Sequence, residues 1–274
     1  MENSLITSIE KNSKILKINN LEMSYQGVKA VDNVSFNVTQ GSITGLIGPN
    51  GSGKSTLIDC ITGFLKPQAG TWFINNAELT GLPPHHYSLA GISRTFQSTK
   101  AFGELSLLES LLIAGQSHDE VTFYKSFFGG NKLQIADLEA KRRALELLEQ
   151  VNLLKYADAP ADILSYGQRK LLALSSTMMT KPFLVILDEP VAGVNQTTVR
   201  RIEAIIKKLN ESGVTFLIVE HNMEFIMNLC SRVLVLQSGK IIADDEPNVV
   251  RQNPLVMSAY LGSAQSKANN KHEP

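Results

Sequence analysis

The chain has 274 residues, enough for one large domain or two closely packed subdomains with a sizeable buried core. Its 26 basic and 26 acidic residues cancel, so the chain lacks the positive excess that proteins binding a phosphate backbone usually carry. Length, apolar content and charge therefore argue against a fibrous protein and against a nucleic-acid partner.

The N-terminal stretch 1–14 is polar and contains no apolar run that could act as a signal peptide. No segment reaches the roughly 18 to 20 unbroken apolar residues of a membrane helix, because even the apolar run 183–187 ends at Asp188. We therefore expect a cytosolic chain whose link to a membrane comes through a partner. Cys60 and Cys230 stand singly in apolar surroundings, which predicts buried thiols rather than a disulfide or metal ligands.

Short strands dominate the first part of the chain, residues 15–74. Residues 35–38 alternate polar and apolar with the period of two that strands have, and residues 43–47 form a more buried apolar run. From about residue 105 to 180 the pattern turns helical, and residues 138–151 carry apolar side chains at helical spacing. This helical block separates two regions that are rich in strands.

A second stretch of strands and helices follows the helical block. Strands are predicted at 183–187, 214–219 and 232–236, and a helix at Gln196–Glu211 places its apolar residues on one face. Strands that alternate with amphipathic helices predict an α/β fold with a mostly parallel sheet flanked by helices. The last residues, 263–274, are polar and, like the N-terminal stretch, are expected to form a flexible terminus.

A glycine-rich loop after the apolar run at 43–47 matches the phosphate-binding pattern G-x-x-x-x-G-K-[ST]. Its backbone N–H groups can point at the β- and γ-phosphates of a nucleotide, and the helix that follows adds the positive end of its dipole. Lys54 is expected to neutralise phosphate charge and Ser55 to ligate Mg²⁺. The alternative is a chance glycine-rich turn, which the preceding strand and the following helix disfavour. The nucleotide-binding residues predicted here are Gly48, Pro49, Asn50, Gly51, Ser52, Gly53, Lys54, Ser55 and Thr56.

Two carboxylates, Asp188 and Glu189, end the apolar run at 183–187. Asp188 is predicted to hold Mg²⁺ directly or through water, and Glu189 to polarise the water that attacks the γ-phosphate. A general base of this kind is worth about 10² to 10⁴ in rate. The alternative is a surface acidic pair that caps a turn before Pro190.

A third motif narrows the large class of proteins that share these two features. The segment Leu164-Ser165-Tyr166-Gly167-Gln168 lies ahead of a helix and resembles the L-S-G-G-Q signature of ABC ATPases, with Tyr166 where glycine is commoner. A serine hydroxyl, a glycine backbone and a helix N-terminus together can hold an anion. Without the other motifs the segment would be read as a helix cap.

The resemblance to ABC ATPases implies a P-loop NTPase core that contains an antiparallel β part and an inserted helical subdomain. It predicts an ABC ATPase domain over residues 15–262, with core lobes at about 15–97 and 181–262 and a helical subdomain at about 98–180. It also implies ATP and Mg²⁺ as cofactors. Two subunits, identical or related, would close head to tail around two ATP molecules.

In such a dimer the resemblance assigns Ser165, Gly167 and Gln168 to the partner's nucleotide. Asn195 lies in a segment that resembles the loop crossing the dimer interface, where many relatives carry aspartate. Its amide can still form a hydrogen bond across the interface but brings no charge.

Three further residues occupy positions that the resemblance marks as functional. Tyr25 would stack on adenine, with a buried core tyrosine as the alternative. Gln97 would reach Mg²⁺ and the attacking water, with a solvated loop amide as the alternative. His221 follows an apolar strand and would contact the γ-phosphate, whereas a histidine at such a position without the other motifs would be read as a surface residue.

Within the family the sequence most resembles the ATPase subunits of importers for branched-chain amino acids and related small solutes such as urea. Gln196 departs from that branch because proline is usual there, and residues 244–246 replace a more usual glycine-containing turn. The segments that carry this narrower resemblance are 94–97, 164–168, 192–195, 219–223 and 259–262.

The implied partners are transmembrane permease subunits, a second ATPase subunit and, indirectly, a solute-binding protein, with the chain on the cytoplasmic face of the membrane. The alternatives are an exporter ATPase for lipid or polysaccharide and a soluble ABC ATPase that works outside transport. A P-loop kinase is a further alternative, but the signature segment would have no role in one.

Overall fold

A computed structural model of the chain describes residues 13–95, 104–116 and 130–260. The strands are β1 Lys14–Tyr25, β2 Val28–Thr39, β3 Ile43–Ile47, β4 Ala69–Ile74, β5 Ala77–Glu78, β6 Ile92–Arg94, β7 Leu184–Asp188, β8 Thr215–Val219, β9 Arg232–Gln237 and β10 Lys240–Asp245. The helices are α1 Lys54–Ile61, α2 Pro84–Leu89, α3 Leu107–Ala114, α4 Gly130–Gln150, α5 Tyr166–Met178, α6 Gln196–Glu211, α7 Met223–Leu229 and α8 Pro247–Gln252.

The strands form two sheets of different character. The larger sheet has six strands in the order β10-β9-β3-β8-β7-β6, and only its β9–β10 pair is antiparallel. The smaller sheet has four strands in the order β2-β1-β4-β5 and is antiparallel throughout. The predicted fold class, a mostly parallel sheet with helices and an antiparallel part, is therefore confirmed.

The six-stranded sheet is buried on both faces, which explains why its strands read as continuous apolar runs. Successive side chains of a strand point to opposite faces, so in β7 Val185 and Leu187 join one hydrophobic cluster while Leu184 and Ile186 join the other. The first cluster contains the helical block, and the second contains the four-stranded sheet and α1. The sheet is the layer between two cores.

Helices α3, α4 and α5 pack together over the first face of the sheet. Leu111 of α3 and Leu148 of α4 are buried in the same cluster as Leu171 of α5. The Arg143 guanidinium on α4 donates through Nε to the carbonyls of Met178 and Met179, each at 3.2 Å. This contact satisfies carbonyl groups that the C-terminal end of α5 leaves without helical partners.

The predicted elements agree with the structure where the pattern was long and regular. The helix at Gln196–Glu211 has the predicted bounds, and the strands at 184–188, 215–219 and 232–237 each lie within one residue of prediction. Residues 244 and 245 belong to strand β10, because they pair with Leu234 and Val233 of β9, and Arg232 of β9 also binds both carboxylate oxygens of Asp244 at 2.6 Å.

Across the three described ranges, no helix combines the length and the hydropathy needed to traverse a bilayer. Cys60 and Cys230 are free, buried thiols, as the sequence predicted.

Candidate functional site

Three of the predicted motifs lie at one edge of the six-stranded sheet. The glycine-rich loop follows β3, Asp188 ends β7 and His221 comes soon after β8, and β8 lies between β3 and β7 in the sheet. Since these three strands are parallel, their carboxyl ends lie at the same edge, which is where open α/β sheets bind ligands. The topology therefore brings the three motifs together.

The glycine-rich loop leaves no space for side chains at two of its glycines. A Cβ at Gly48 would lie 2.1 Å from the Leu236 carbonyl oxygen, and one at Gly53 would lie 2.0 Å from the Ala30 carbonyl oxygen. Gly53 also has a φ of 104°, in the left-handed region that L side chains rarely adopt. At these glycines the loop backbone therefore packs directly against β9 and β2, and the loop leads into the N-terminus of α1, which can bind the phosphates of a nucleotide.

The Lys54 side chain folds back over the loop that precedes it. Its Nζ donates to the carbonyls of Gly48 at 2.8 Å and Pro49 at 3.0 Å, and lies 3.4 Å from the Ser52 hydroxyl. Burial lowers the pKa of Lys54, and the nearby charges of Glu189 and Asp188 oppose that effect. In the described part of the chain no carboxylate forms an ion pair with this ammonium, so its charge is available to a phosphate.

The other residues at the mouth of the loop are accessible to a ligand. Asn50, Gly51 and Ser55 are exposed, and Thr56 in the first turn of α1 is half-buried. Ser55 follows Lys54 directly and is exposed, so a metal ion beside the loop could reach it.

Asp188 is a buried carboxylate held by an arginine. It is 6% exposed, its Oδ2 accepts from Arg94 Nη2 at 3.1 Å, and its backbone N–H donates to Thr95 Oγ1 at 3.0 Å. Arg94 also binds Asp59 Oδ1 at 2.6 Å and Thr62 Oγ1 at 3.1 Å. Sequence reasoning used Arg94 only as a marker of the branch and missed that it orients Asp188.

The described residues contain no cluster of three or more metal-ligating side chains. Mg²⁺ in nucleotide sites typically takes one or two protein ligands and completes its shell with phosphate oxygens and water. Ser55 and Asp188 fit that pattern. Gln97, the third predicted ligand, lies outside the described residues.

Glu189 has an unusual backbone conformation for a residue with a side chain. Its φ is 49°, in the left-handed region, which costs about 1–3 kcal/mol and persists only where the surroundings impose it. The Glu189 N–H donates to the Val219 carbonyl at 2.9 Å, and the Glu189 carbonyl accepts from Lys170 Nζ at 2.8 Å. The side chain is about one-third exposed, so water can reach its carboxylate.

His221 lies beside Glu189 at the open edge of the site. Its Nδ1 is 3.8 Å from Glu189 Oε1 and 3.7 Å from Glu220 Oε2. Glu220 is completely buried and accepts hydrogen bonds from the backbone N–H groups of Val191, His221 and Asn222. It joins the loops that follow β7 and β8, a role that sequence reasoning did not assign to it.

The signature segment forms the N-terminus of α5. Ser165 is the N-cap: its Oγ accepts from the Gln168 N–H at 3.3 Å, and the Gln168 Oε1 accepts from the Ser165 N–H at 2.9 Å. Ser165 is exposed, and Gly167 packs so closely on α6 that a Cβ would lie 3.0 Å from Thr198 Cγ2. Among the described residues no hydrogen bond joins this segment to the glycine-rich loop, so within one chain it acts as a helix cap.

Two other predicted residues are described by the structure. Tyr25 ends β1 and is 45% exposed, which excludes the alternative of a buried core tyrosine. Asn195 caps α6, because its Oδ1 accepts from the Thr198 N–H at 2.9 Å. Its amide oxygen is thus already engaged within the chain.

Comparison with known proteins shows which family carries these motifs. The sequence profile of the family described as ABC transporter matches residues 31–192. The high-affinity branched-chain amino acid transport ATP-binding protein BraF of Pseudomonas aeruginosa is 38% identical over 251 residues, which cover 91% of this chain and 98% of the relative. The corresponding protein LivG of Escherichia coli is 36% identical over 251 residues, with the same coverage of both chains.

Solved structures of ABC transporter cassettes are also similar to this chain. A crystal structure of an ATP-binding cassette of an ABC transporter, in its ADP conformation, is 36% identical to this chain. The match covers 91% of this chain and 99% of that one, with a TM-score of 0.80.

Proposed function

This chain is an ATPase of the ABC transporter family, and from that premise we propose that it powers the import of branched-chain amino acids or a related small solute. The observation that carries the proposal is the meeting of Lys54, Asp188, Glu189 and His221 at one edge of the parallel sheet. The relatives whose names include branched-chain amino acid transport support the choice of solute class.

The proposed chemistry assigns a separate task to each residue. The loop 48–56 holds the phosphates of ATP, and Tyr25 stacks on the adenine ring. Glu189 orients the attacking water and accepts its proton, while His221 contacts the γ-phosphate. Because Glu189 is held in a constrained backbone conformation, its carboxylate needs little rearrangement before reaction.

Ser55, Gln97 and Asp188 are the proposed ligands of Mg²⁺. The ion, when bound, would screen the charge of the phosphate oxygens. Arg94 keeps the Asp188 carboxylate in place, since its guanidinium bridges Asp188 and Asp59.

The proposed output is closure of a dimer. Ser165, Gly167 and Gln168 at the exposed N-terminus of α5 would contact the nucleotide of a second ATPase subunit, identical or related. Loss of the γ-phosphate removes those contacts, so hydrolysis would reopen the pair and move transmembrane permease subunits on the cytoplasmic face of the membrane. A solute-binding protein would deliver the solute to the permease.

The hydrolysis step is tested with the Glu189→Gln variant. Phosphate release from Mg-ATP should fall at least about 10²-fold, whereas the Kd for ATP should stay within about twofold, because the amide cannot accept the proton. Glu203→Gln is a matched control, since within the described ranges Glu203 pairs only with Lys207, one turn further along α6. Normal turnover in Glu189→Gln would contradict the proposed role of Glu189.

The transport step is tested by uptake. Cells that carry the wild-type chain should accumulate labelled leucine, isoleucine or valine, and cells that carry Glu189→Gln should not. Unchanged uptake of these amino acids, together with intact ATPase activity of the purified chain, would reject this solute class and favour another importer or an exporter.

A further inference from the structure

Lys170 is a buried lysine on the helix that begins with the signature segment. Its residue exposure is 8%, and its Nζ donates to the main-chain carbonyl of Glu189 at 2.8 Å. Within the described ranges no carboxylate pairs with this ammonium. A buried cation is costly unless its partners compensate it, so a contact made to a backbone carbonyl instead of a carboxylate calls for an explanation.

The aromatic ring of Tyr166 supplies the second partner of Lys170. Tyr166 lies four residues earlier on α5, which places both side chains on one face of the helix. The Lys170 ammonium is 5.6 Å from the centre of the Tyr166 ring. The same ring lies against Gly193, where a Cβ would be 3.2 Å from Tyr166 Cε1. Tyr166 and Lys170 thus both contact the loop 189–193.

This loop begins with Glu189, whose φ of 49° lies in the left-handed region. The Glu189 carbonyl accepts from Lys170 at 2.8 Å and, at a longer 3.3 Å, from the Ala192 N–H within the turn. Among the described residues, the one other main-chain hydrogen bond of Glu189 is from its N–H to the Val219 carbonyl. Without Lys170 the 189–190 peptide would lose its shorter hydrogen bond, and the left-handed φ of Glu189 could relax. A change of φ at Glu189 swings its carboxylate.

We propose that Lys170 is a positioning residue that holds the Glu189 backbone in the conformation required for hydrolysis. The inference rests on the proposed role of Glu189 as the residue that orients the attacking water. Lys170 donates to the main-chain carbonyl of Glu189 and not to its carboxylate, so its effect on the reaction passes through the Glu189 backbone.

The test compares Lys170→Met with Lys170→Arg in steady-state ATPase assays. Lys170→Met should lower kcat about 10- to 100-fold, the cost of a misplaced catalytic group, with KM within about twofold. Lys170→Arg can still donate to the carbonyl and should keep kcat within about threefold of the wild type. Lys207→Met, which removes an exposed helical lysine, is the matched control and should leave kcat unchanged.

A double mutant separates positioning from a general effect on the fold. If Lys170 acts only through Glu189, adding Lys170→Met to Glu189→Gln should lower the residual rate no further. An additional loss equal to that of the single variant would overturn the inference. If Lys170→Met does not fold, as judged by circular dichroism, Lys170→Leu replaces it, because leucine also has no group that can donate to the carbonyl.

The two proposals fail in different ways. A normal kcat in Lys170→Met beside an inactive Glu189→Gln overturns the role of Lys170 and leaves the proposed function intact. Full turnover in Glu189→Gln overturns both, because the inference depends on that residue.

Discussion

The Lys54 ammonium is held over the phosphate-binding loop by main-chain oxygens rather than by a carboxylate. Burial lowers its pKa, although Glu189 and Asp188 nearby act in the opposite direction. The folded chain therefore keeps a positive charge at a position where it is disfavoured. A bound phosphate would relieve that cost, which is a physical reason for the affinity of the loop.

The lowered pKa of Lys54 predicts a pH dependence of stability without nucleotide. Between the lowered pKa and 10.5 the unfolded chain binds more protons at this residue than the folded chain, so the free energy of unfolding should rise with pH. Lys54→Met lacks this contribution. Urea unfolding of both proteins from pH 7 to about 10.5 should show the wild type gaining stability relative to the variant. Parallel curves would contradict the prediction.

Among single residues, the sequence predicts those whose functional neighbours lie next to them in the chain. The glycines, Lys54 and Ser55 form one continuous motif, and Asp188 and Glu189 end one apolar strand, so spacing alone identifies them. Arg94 and Lys170 are different, because their partners Asp188 and Glu189 lie 94 and 19 residues away. Only the packing of α5 and β6 against β7 brings these pairs together.

At the scale of elements, the N-terminus of α5 has two possible tasks. It carries a capping box in which Ser165 and Gln168 satisfy each other's backbone N–H groups. The same structure recurs at the start of α3, where Ser106 and Glu109 form a capping box. Helix stability alone would therefore explain Ser165, and a test must separate the cap from the proposed phosphate contact.

The Ser165→Asp variant separates the helix cap from the proposed phosphate contact. Aspartate is as good an N-cap as serine, so Ser165→Asp should keep the stability that Ser165→Ala loses, about 0.5–2 kcal/mol. Its negative charge should repel a phosphate, so ATPase activity in the assembled transporter should fall at least about tenfold. Chemical denaturation measures the change in stability, and phosphate release measures the change in ATPase activity.

Ser106→Ala at the matching cap of α3 is the control, and it should lose stability without losing the intrinsic ATPase rate. Full activity in Ser165→Asp would mean that Ser165 is only a helix cap.

Helices and strands with a long, regular hydrophobic pattern were predicted correctly from the sequence, and short ones were not. Helix α6 was predicted with its observed bounds because its apolar face is strongly periodic, and the structure adds that Asn195 caps it. Strand β10 and helix α7 were not predicted. Their short segments contain too few repeats to show a period, and β10 owes its last residues to pairing with β9. The fold class was still predictable, since the buried parallel strands carry most of the signal.

At the scale of the whole molecule, the two cysteines report on global unfolding. Burial raises the pKa of Cys60 to about 11 and that of Cys230 to about 12. Their contribution to stability is therefore fully present below pH 9.0 and is lost as the pH rises through those values.

At pH 8 a thiol with the pKa of Cys60 is ionised in roughly one molecule in a thousand, so iodoacetamide should modify the native protein very slowly. Mass spectrometry should show both thiols modified rapidly once denaturant is added. Fast modification of either thiol in the native protein would contradict the burial of both.

In the proposed dimer, each nucleotide is bound by Lys54 of one protomer and by Ser165 of its partner. The most direct measurement is a structure of the Glu189→Gln transporter, with its permease and both ATPase subunits, in saturating Mg-ATP. We predict that the Ser165 hydroxyl lies within about 3 Å of a phosphate oxygen on the nucleotide that the other subunit holds. A closed, ATP-bound pair in which Ser165 points away from every phosphate would contradict the account.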